Sequence, residues 1–122
     1  GRGGWLVRNA LNDRLGAMSG GSGPRYKLVV KLDDQITGFG LRADAAVTRE
    51  RRTLRARYKL IDEATGAQIL DDTAGSDAGI DVTSSEYATI AAEDTALERL
   101  SQTVADQIVT RLALFSRKAA NP

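Results

Sequence analysis

Four cations fall on odd-numbered positions of one short stretch: Arg51, Arg55, Arg57 and Lys59. In a strand, side chains two residues apart point the same way, so all four would share a face. Lys27 and Lys31 repeat the pattern in a second stretch and would join them from a neighbouring strand. Cations crowded on one sheet face repel one another unless something neutralises them. A phosphate or another anionic ligand would supply that charge, and guanidinium geometry suits it. The plainer reading is a solvated face on which Asp33, Asp71 and Glu63 act as cross-strand counter-ions.

A second group, Asp71, Asp72, Asp77 and Asp81, offers carboxylates for calcium or for general acid and base work. Calcium needs several carboxylates converging on one point, and this spacing fits no such loop. Nothing in the spacing perturbs a carboxyl toward catalysis either, so these residues read as a polar edge strand. Ser84 and Ser85 have no His partner and read as helix caps. The chain contains no Cys and no His. That removes thiolate and imidazole chemistry, disulfides and nearly every zinc or iron site. No dinucleotide fingerprint, phosphate-binding loop or nucleophile elbow occurs. The expectation is a non-catalytic binding domain without cofactor or metal. Trp5 is either a core anchor or an exposed ring on which a ligand stacks.

The 122 residues fit one domain, taken as 1–122. With 42% hydrophobic and 27% charged residues the chain is globular. Its net charge of +1 predicts no general affinity for nucleic acid. No stretch approaches the ~20 apolar residues of a membrane span, and no signal peptide is visible.

The elements that must carry these residues follow from periodicity. Trp5 to Leu15 reads as a short helix, with Val7, Leu11 and Leu15 on one face. Met18 to Pro24 is a loop rich in Gly and Ser. Tyr26 to Asp33 alternates as a strand, with Tyr26, Leu28, Val30 and Leu32 facing one way. Asp34 to Gly40 reads as turn-like, and Leu41 to Val47 as a weaker strand. Thr48 to Asp62 is the clearest strand, with Leu54, Ala56, Tyr58 and Leu60 opposite the cations. Glu63 to Gly66 closes a hairpin, Gly66 supplying positive φ. The return strand runs from about Gln68 toward Val82. Ser84 or Ser85 caps a long helix from about Glu86 to Phe115, and Ala119 to Pro122 is a tail. Ile90, Leu97, Leu100, Val104, Ile108, Leu112 and Phe115 form the helix's apolar stripe. Leu54, Tyr58, Leu60, Leu97, Val104 and Ile108 should share one core. The fold class is α+β: a largely antiparallel sheet of three to four strands, with a short N-terminal and a long C-terminal helix on one face.

Three segments, in order, resemble the lipopolysaccharide-assembly lipoprotein family (LptE, rare lipoprotein B). Val7-Arg8-Asn9-Ala10-Leu11-Asn12-Asp13-Arg14-Leu15 is similar to its Leu-Arg-Asn helix, followed by Tyr26-Lys27-Leu28-Val29-Val30. Thr48-Arg49, then Ala56-Arg57-Tyr58-Lys59-Leu60-Ile61-Asp62 to Thr65-Gly66, is similar to its central hairpin. Tyr87-Ala88-Thr89, Ala92-Glu93-Asp94, Ala105-Asp106-Gln107-Ile108 and Arg111-Leu112-Ala113-Leu114 resemble its terminal helix. Together these cover nearly the whole chain.

The resemblance implies a role rather than a reaction. Such proteins sit at the periplasmic face of the outer membrane, partner a β-barrel translocon and help insert lipopolysaccharide. A lipidated N-terminal Cys and a first strand, usual in the family, are not in this sequence, so the chain is expected to lack its anchor and that strand. The resemblance also gives the basic stripe a natural ligand, because lipid A and its core sugars carry phosphates. Two other readings are an auxiliary lipoprotein of an ABC-type lipid transporter, which the Val-Arg-Asn helix argues against, and a secretion-chaperone-like module. An enzyme is the third, and the missing His and Cys speak against it.

Overall fold

The computed structural model describes residues 2–16, 26–41 and 47–120. The element order is α1 (Arg2–Gly16), β1 (Tyr26–Leu41), β2 (Val47–Asp62), β3 (Gln68–Asp81) and α2 (Glu86–Ala120). The strands form one antiparallel sheet in the order β1-β2-β3, giving an α+β fold.

Strict alternation along β2 divides the sheet into two faces. Leu54, Ala56, Tyr58 and Leu60 are buried, and the register sets them beside Leu28, Val30 and Leu32 of β1 and Leu70 and Ala74 of β3. Both helices cover this face: Val7, Ala10 and Leu11 of α1 and Leu97, Leu100, Val104, Ala105 and Ile108 of α2 complete the core. The six residues expected to share a core all lie in it. The helix α1 packs mainly on α2 and barely touches β1. Tyr26 closes the far end with an edge-on contact to Phe115, ring centroids 6.1 Å apart.

The β2–β3 turn is built locally. The Asp62 carboxylate accepts from the Ala64 N–H at 2.9 Å, and Gly66 takes φ 74°, where a Cβ would be strained. A bulge follows: Leu60 pairs with Leu70 but Ile61 with Gln68, leaving Ile69 unpaired. At the start of α2, the Ser85 hydroxyl accepts from the Ala88 N–H at 3.2 Å, so Ser85 is the cap.

Several expectations need correction. Asp34 to Gly40 is not a turn but a continuation of β1, pairing Asp34 with Leu54 and Phe39 with Arg49. The long ladder offered by β2 overrides weak local propensity. Of the weaker strand expected from Leu41 to Val47, Leu41 ends β1 and Val47 begins β2, and the residues between lie outside those described. The loop Met18 to Pro24 and the side chain of Leu15 also lie outside them. The helix α2 runs beyond Phe115, through Ala119 and Ala120. Ile90 is 51% exposed, because the first turns of α2 precede the stretch that packs on the sheet.

Candidate functional site

The face of the sheet turned away from the helices carries every residue of the basic stripe. Odd-numbered residues of β1 and β2 point there together. Lys31 stands opposite Arg57, Asp33 opposite Arg55, Thr37 opposite Arg51 and Val29 opposite Lys59. Lys27 and Lys31 therefore flank Val29 on one strand, with Lys59 across from it on the next. All six cations of the stripe share this one face.

The six are not electrostatically equal. Arg57 donates twice to Asp71, Nε to Oδ1 at 3.1 Å and Nη2 to Oδ2 at 2.8 Å. Arg51 donates to Asp77 at 3.0 Å. Both reach diagonally: Asp71 is opposite Lys59, and Asp77 is opposite Thr53. Arg49, one step further along β2, pairs with Asp81 at 3.5 Å. The Asp71 carboxyl is held below its ordinary range, first by the hydrogen bond from Arg57 and then by the charges of Arg57 and Lys59. The same bond raises the Arg57 guanidinium. Among the described residues, Lys27, Lys31, Arg55 and Lys59 form no ion pair. Arg55 borders a shallow depression of about 430 Å³ with Thr53, Thr73, Gly75, Ser76 and Asp77.

Of the expected counter-ions, Asp71 serves as one. Asp33 faces Arg55 across the ladder but bonds to the Gln35 amide at 3.2 Å, and Glu63 joins no ion pair among the described residues. The acidic strand divides by parity. Asp71, Asp77 and Asp81 face the cations, while Asp72 turns to the helix side and accepts from Arg111 at 3.2 Å. Among the described residues, no group of three or more acidic side chains is placed to hold a metal ion. Trp5 is 62% exposed, so it is no core anchor. It borders an apolar depression between α1 and β1.

Sequence reasoning missed the charged groups on the helix side. Arg52 lies between two members of the stripe but points the other way. It donates to Asp34 at 2.9 and 2.7 Å and to the Glu93 carbonyl at 2.9 Å. The bond to Asp34 raises its guanidinium above the ordinary value against the opposing effect of burial. Its even number in a strand whose even face is apolar is the signal that could have found it. Nearby, burial and a hydrogen bond shared with Glu50 push the Glu93 carboxyl up, the shared bond weighing more. Glu50 Oε1 is buried without a partner among the described residues. Burial also pushes up the Tyr58 phenol, aided by Asp72 and opposed by Arg111.

This arrangement offers several cations to an anionic partner. It is a largely water-exposed cationic face, with apolar Val29 among three lysines.

Residues 1–112 match the family model described as LptE, lipopolysaccharide-assembly. Among solved structures, the chain is similar to one described as a lipoprotein from Caulobacter crescentus. The identity is 30%, the TM-score 0.74, and the match covers 100% of this chain and 88% of that one. It shares its fold with the rare lipoprotein B of Shewanella oneidensis, at 9% identity and TM-score 0.77 over 94% of this chain and 90% of that one. No curated protein matches the sequence.

Proposed function

This chain belongs to the LptE family of lipopolysaccharide-assembly proteins, and from that premise we propose that it is a non-catalytic assembly factor for lipopolysaccharide. In this reading it partners an outer-membrane β-barrel translocon at the periplasmic face of the outer membrane and helps insert lipopolysaccharide. The open sheet face, with Arg51, Arg55, Arg57, Lys59, Lys27 and Lys31, contacts phosphates of the lipid or acidic groups of the barrel.

The observation that carries this reading is the uneven neutralisation of that face. Arg51 and Arg57 are held by Asp77 and Asp71, whereas Lys27, Lys31, Arg55 and Lys59 form no ion pair among the described residues. Spacings of about 5 Å between strands and 6–7 Å along a strand let one multiply charged anion meet several of them. The absence of His and Cys supports a role without catalysis.

The test reverses two unpaired charges, Arg55→Glu with Lys59→Glu, after circular dichroism has verified the fold. Lipopolysaccharide binding and co-purification with the barrel are measured separately. Loss of the lipid alone makes the face a lipid site, and loss of the barrel alone makes it a docking surface. Retention of both at low salt, where exposed charges act most strongly, overturns the assignment.

A further inference from the structure

Across the ladder from β2, Asp71 stands opposite Lys59, Thr73 opposite Arg57, Gly75 opposite Arg55 and Asp77 opposite Thr53. Two of these acids are already engaged: Asp71 holds Arg57 and Asp77 holds Arg51, at 2.8 and 3.0 Å. Arg55 thus faces a residue with no side chain. On its other flank, Asp33 of β1 bonds to the Gln35 amide at 3.2 Å instead. The result is the depression of about 430 Å³, with Gly75 as its floor. A Cβ on Gly75 would stand 3.4 Å from the Leu54 carbonyl oxygen and 3.5 Å from Arg55 Cγ, so a side chain there would take the space beside the arginine. Gln107 of α2 fixes this floor from the outer edge. It accepts from the Gly75 N–H at 2.9 Å and donates to the Gly75 carbonyl at 3.1 Å. Thr53 and Thr73 flank the depression on the same face as Arg55, and neither hydroxyl has a hydrogen-bond partner among the described residues.

We propose that Arg55, Thr53 and Thr73 form a subsite for one phosphate monoester group, seated over Gly75. The subsite rests on the anion-contact reading of the open face and narrows it to a single chemical group. The guanidinium supplies a two-pronged donor and the charge. The hydroxyls add a donor from each of two further directions, Thr53 along β2 and Thr73 from β3. Residues two apart on a strand, or diagonal across a ladder, stand about 6–8 Å from each other. Hydrogen bonds of about 2.8 Å then leave room for one tetrahedral group between them. Donors from three directions suit the three terminal oxygens of a monoester. A phosphodiester offers two such oxygens, and a carboxylate offers two in one plane. The neighbouring Asp77 carboxylate is already matched by Arg51, which limits its repulsion of the anion.

Titration with inorganic phosphate, followed by amide resonances, should shift Thr53, Thr73 and Gly75 and reach saturation. Acetate at the same ionic strength should bind severalfold more weakly. Thr53→Val with Thr73→Val keeps every charge and nearly the same shape, and should weaken phosphate binding by about tenfold. Arg55→Lys keeps the charge but loses the fork, and should weaken it severalfold. The resonance spectrum of each variant reports whether it is folded. Shifts that rise without saturating, that acetate reproduces, or that persist unchanged in the folded double variant overturn the subsite. Vesicles of phosphatidylglycerol with phosphatidylcholine test the wider reading separately. If the parent binds them while the phosphate titration fails, the subsite falls and the anion-contact face stands; if it binds neither, both fall. Vesicles of phosphatidic acid, a lipid monoester, identify the source. Given saturation by phosphate, preference for phosphatidic acid over phosphatidylglycerol at equal surface charge assigns the group to a lipid headgroup. Saturation without that preference assigns it to a soluble monoester.

Discussion

Arg52 and Asp34 meet on the helix side of the sheet through two parallel hydrogen bonds, with only 12% and 28% of their side chains exposed. The same guanidinium holds the Glu93 carbonyl, so one side chain ties β1 and β2 to α2. Removing one partner of such a pair leaves the other charge without its match in a half-dry site. Arg52→Ala should therefore destabilise the fold by about 2–4 kcal/mol. Replacing both partners, Arg52→Met with Asp34→Leu, should cost much less. Urea unfolding of the two variants beside the parent measures this, and equal losses for the single and double changes would show that the unmatched Asp34 charge contributes nothing.

The two faces of β2 predict opposite sensitivities. Leu54 is 0% exposed at the centre of the core, and Leu54→Ala should cost about 3–5 kcal/mol. Arg57→Ala, on the water-exposed face, should leave the unfolding midpoint nearly unchanged. Thermal or urea denaturation compares them directly.

The alternation in β2 makes both faces, the core and the hairpin legible from the residues alone, because a half-buried strand between turn signals has one consistent reading. The cationic face is equally legible as a set of residues. Its division into paired and unpaired members is not, because Arg57 and Arg51 reach diagonally and the partner depends on the β2–β3 register. Asp34 to Gly40 misleads for a related reason: two glycines and three polar residues look like a turn until a partner strand of matching length is present. Arg52 is hidden by its neighbours, since a run of arginines reads as one surface unless each is assigned by parity.

Glu93, which lies beside Glu50, makes stability depend on pH. The folded protein holds the Glu93 carboxyl above its ordinary value, chiefly through the hydrogen bond shared with Glu50. A raised carboxyl means the folded state binds the proton more tightly than the unfolded chain. Its stabilising contribution is complete below the unfolded value and is lost as pH rises through the folded one. Glu93→Gln keeps a donor for Glu50 at every pH, so it should stabilise the fold at neutral pH by about 1 kcal/mol. The gain should shrink as the medium becomes acidic. Denaturant midpoints of the parent and variant from weakly acidic to neutral pH check the sign, and a gain that grew on acidification would reverse the assignment.

Asp71 and Asp77 set how much positive charge the open face presents. Each neutralises one arginine of β2, at 2.8 and 3.0 Å. Asp71→Asn with Asp77→Asn removes two negative charges without removing any cation and keeps side chains of the same shape. Arg57 and Arg51 then join Lys27, Lys31, Arg55 and Lys59 as charges open to a ligand. If that face contacts anions, the double variant should bind anionic vesicles, such as phosphatidylglycerol with phosphatidylcholine, severalfold more tightly than the parent. Its affinity should also fall more steeply with salt, because more charges take part. Exposed ion pairs contribute little to stability, so the fold should tolerate the change. Co-sedimentation with vesicles at several salt concentrations measures both effects. Unchanged affinity in the folded variant at low salt would mean that the arginines of β2 do not meet the anion.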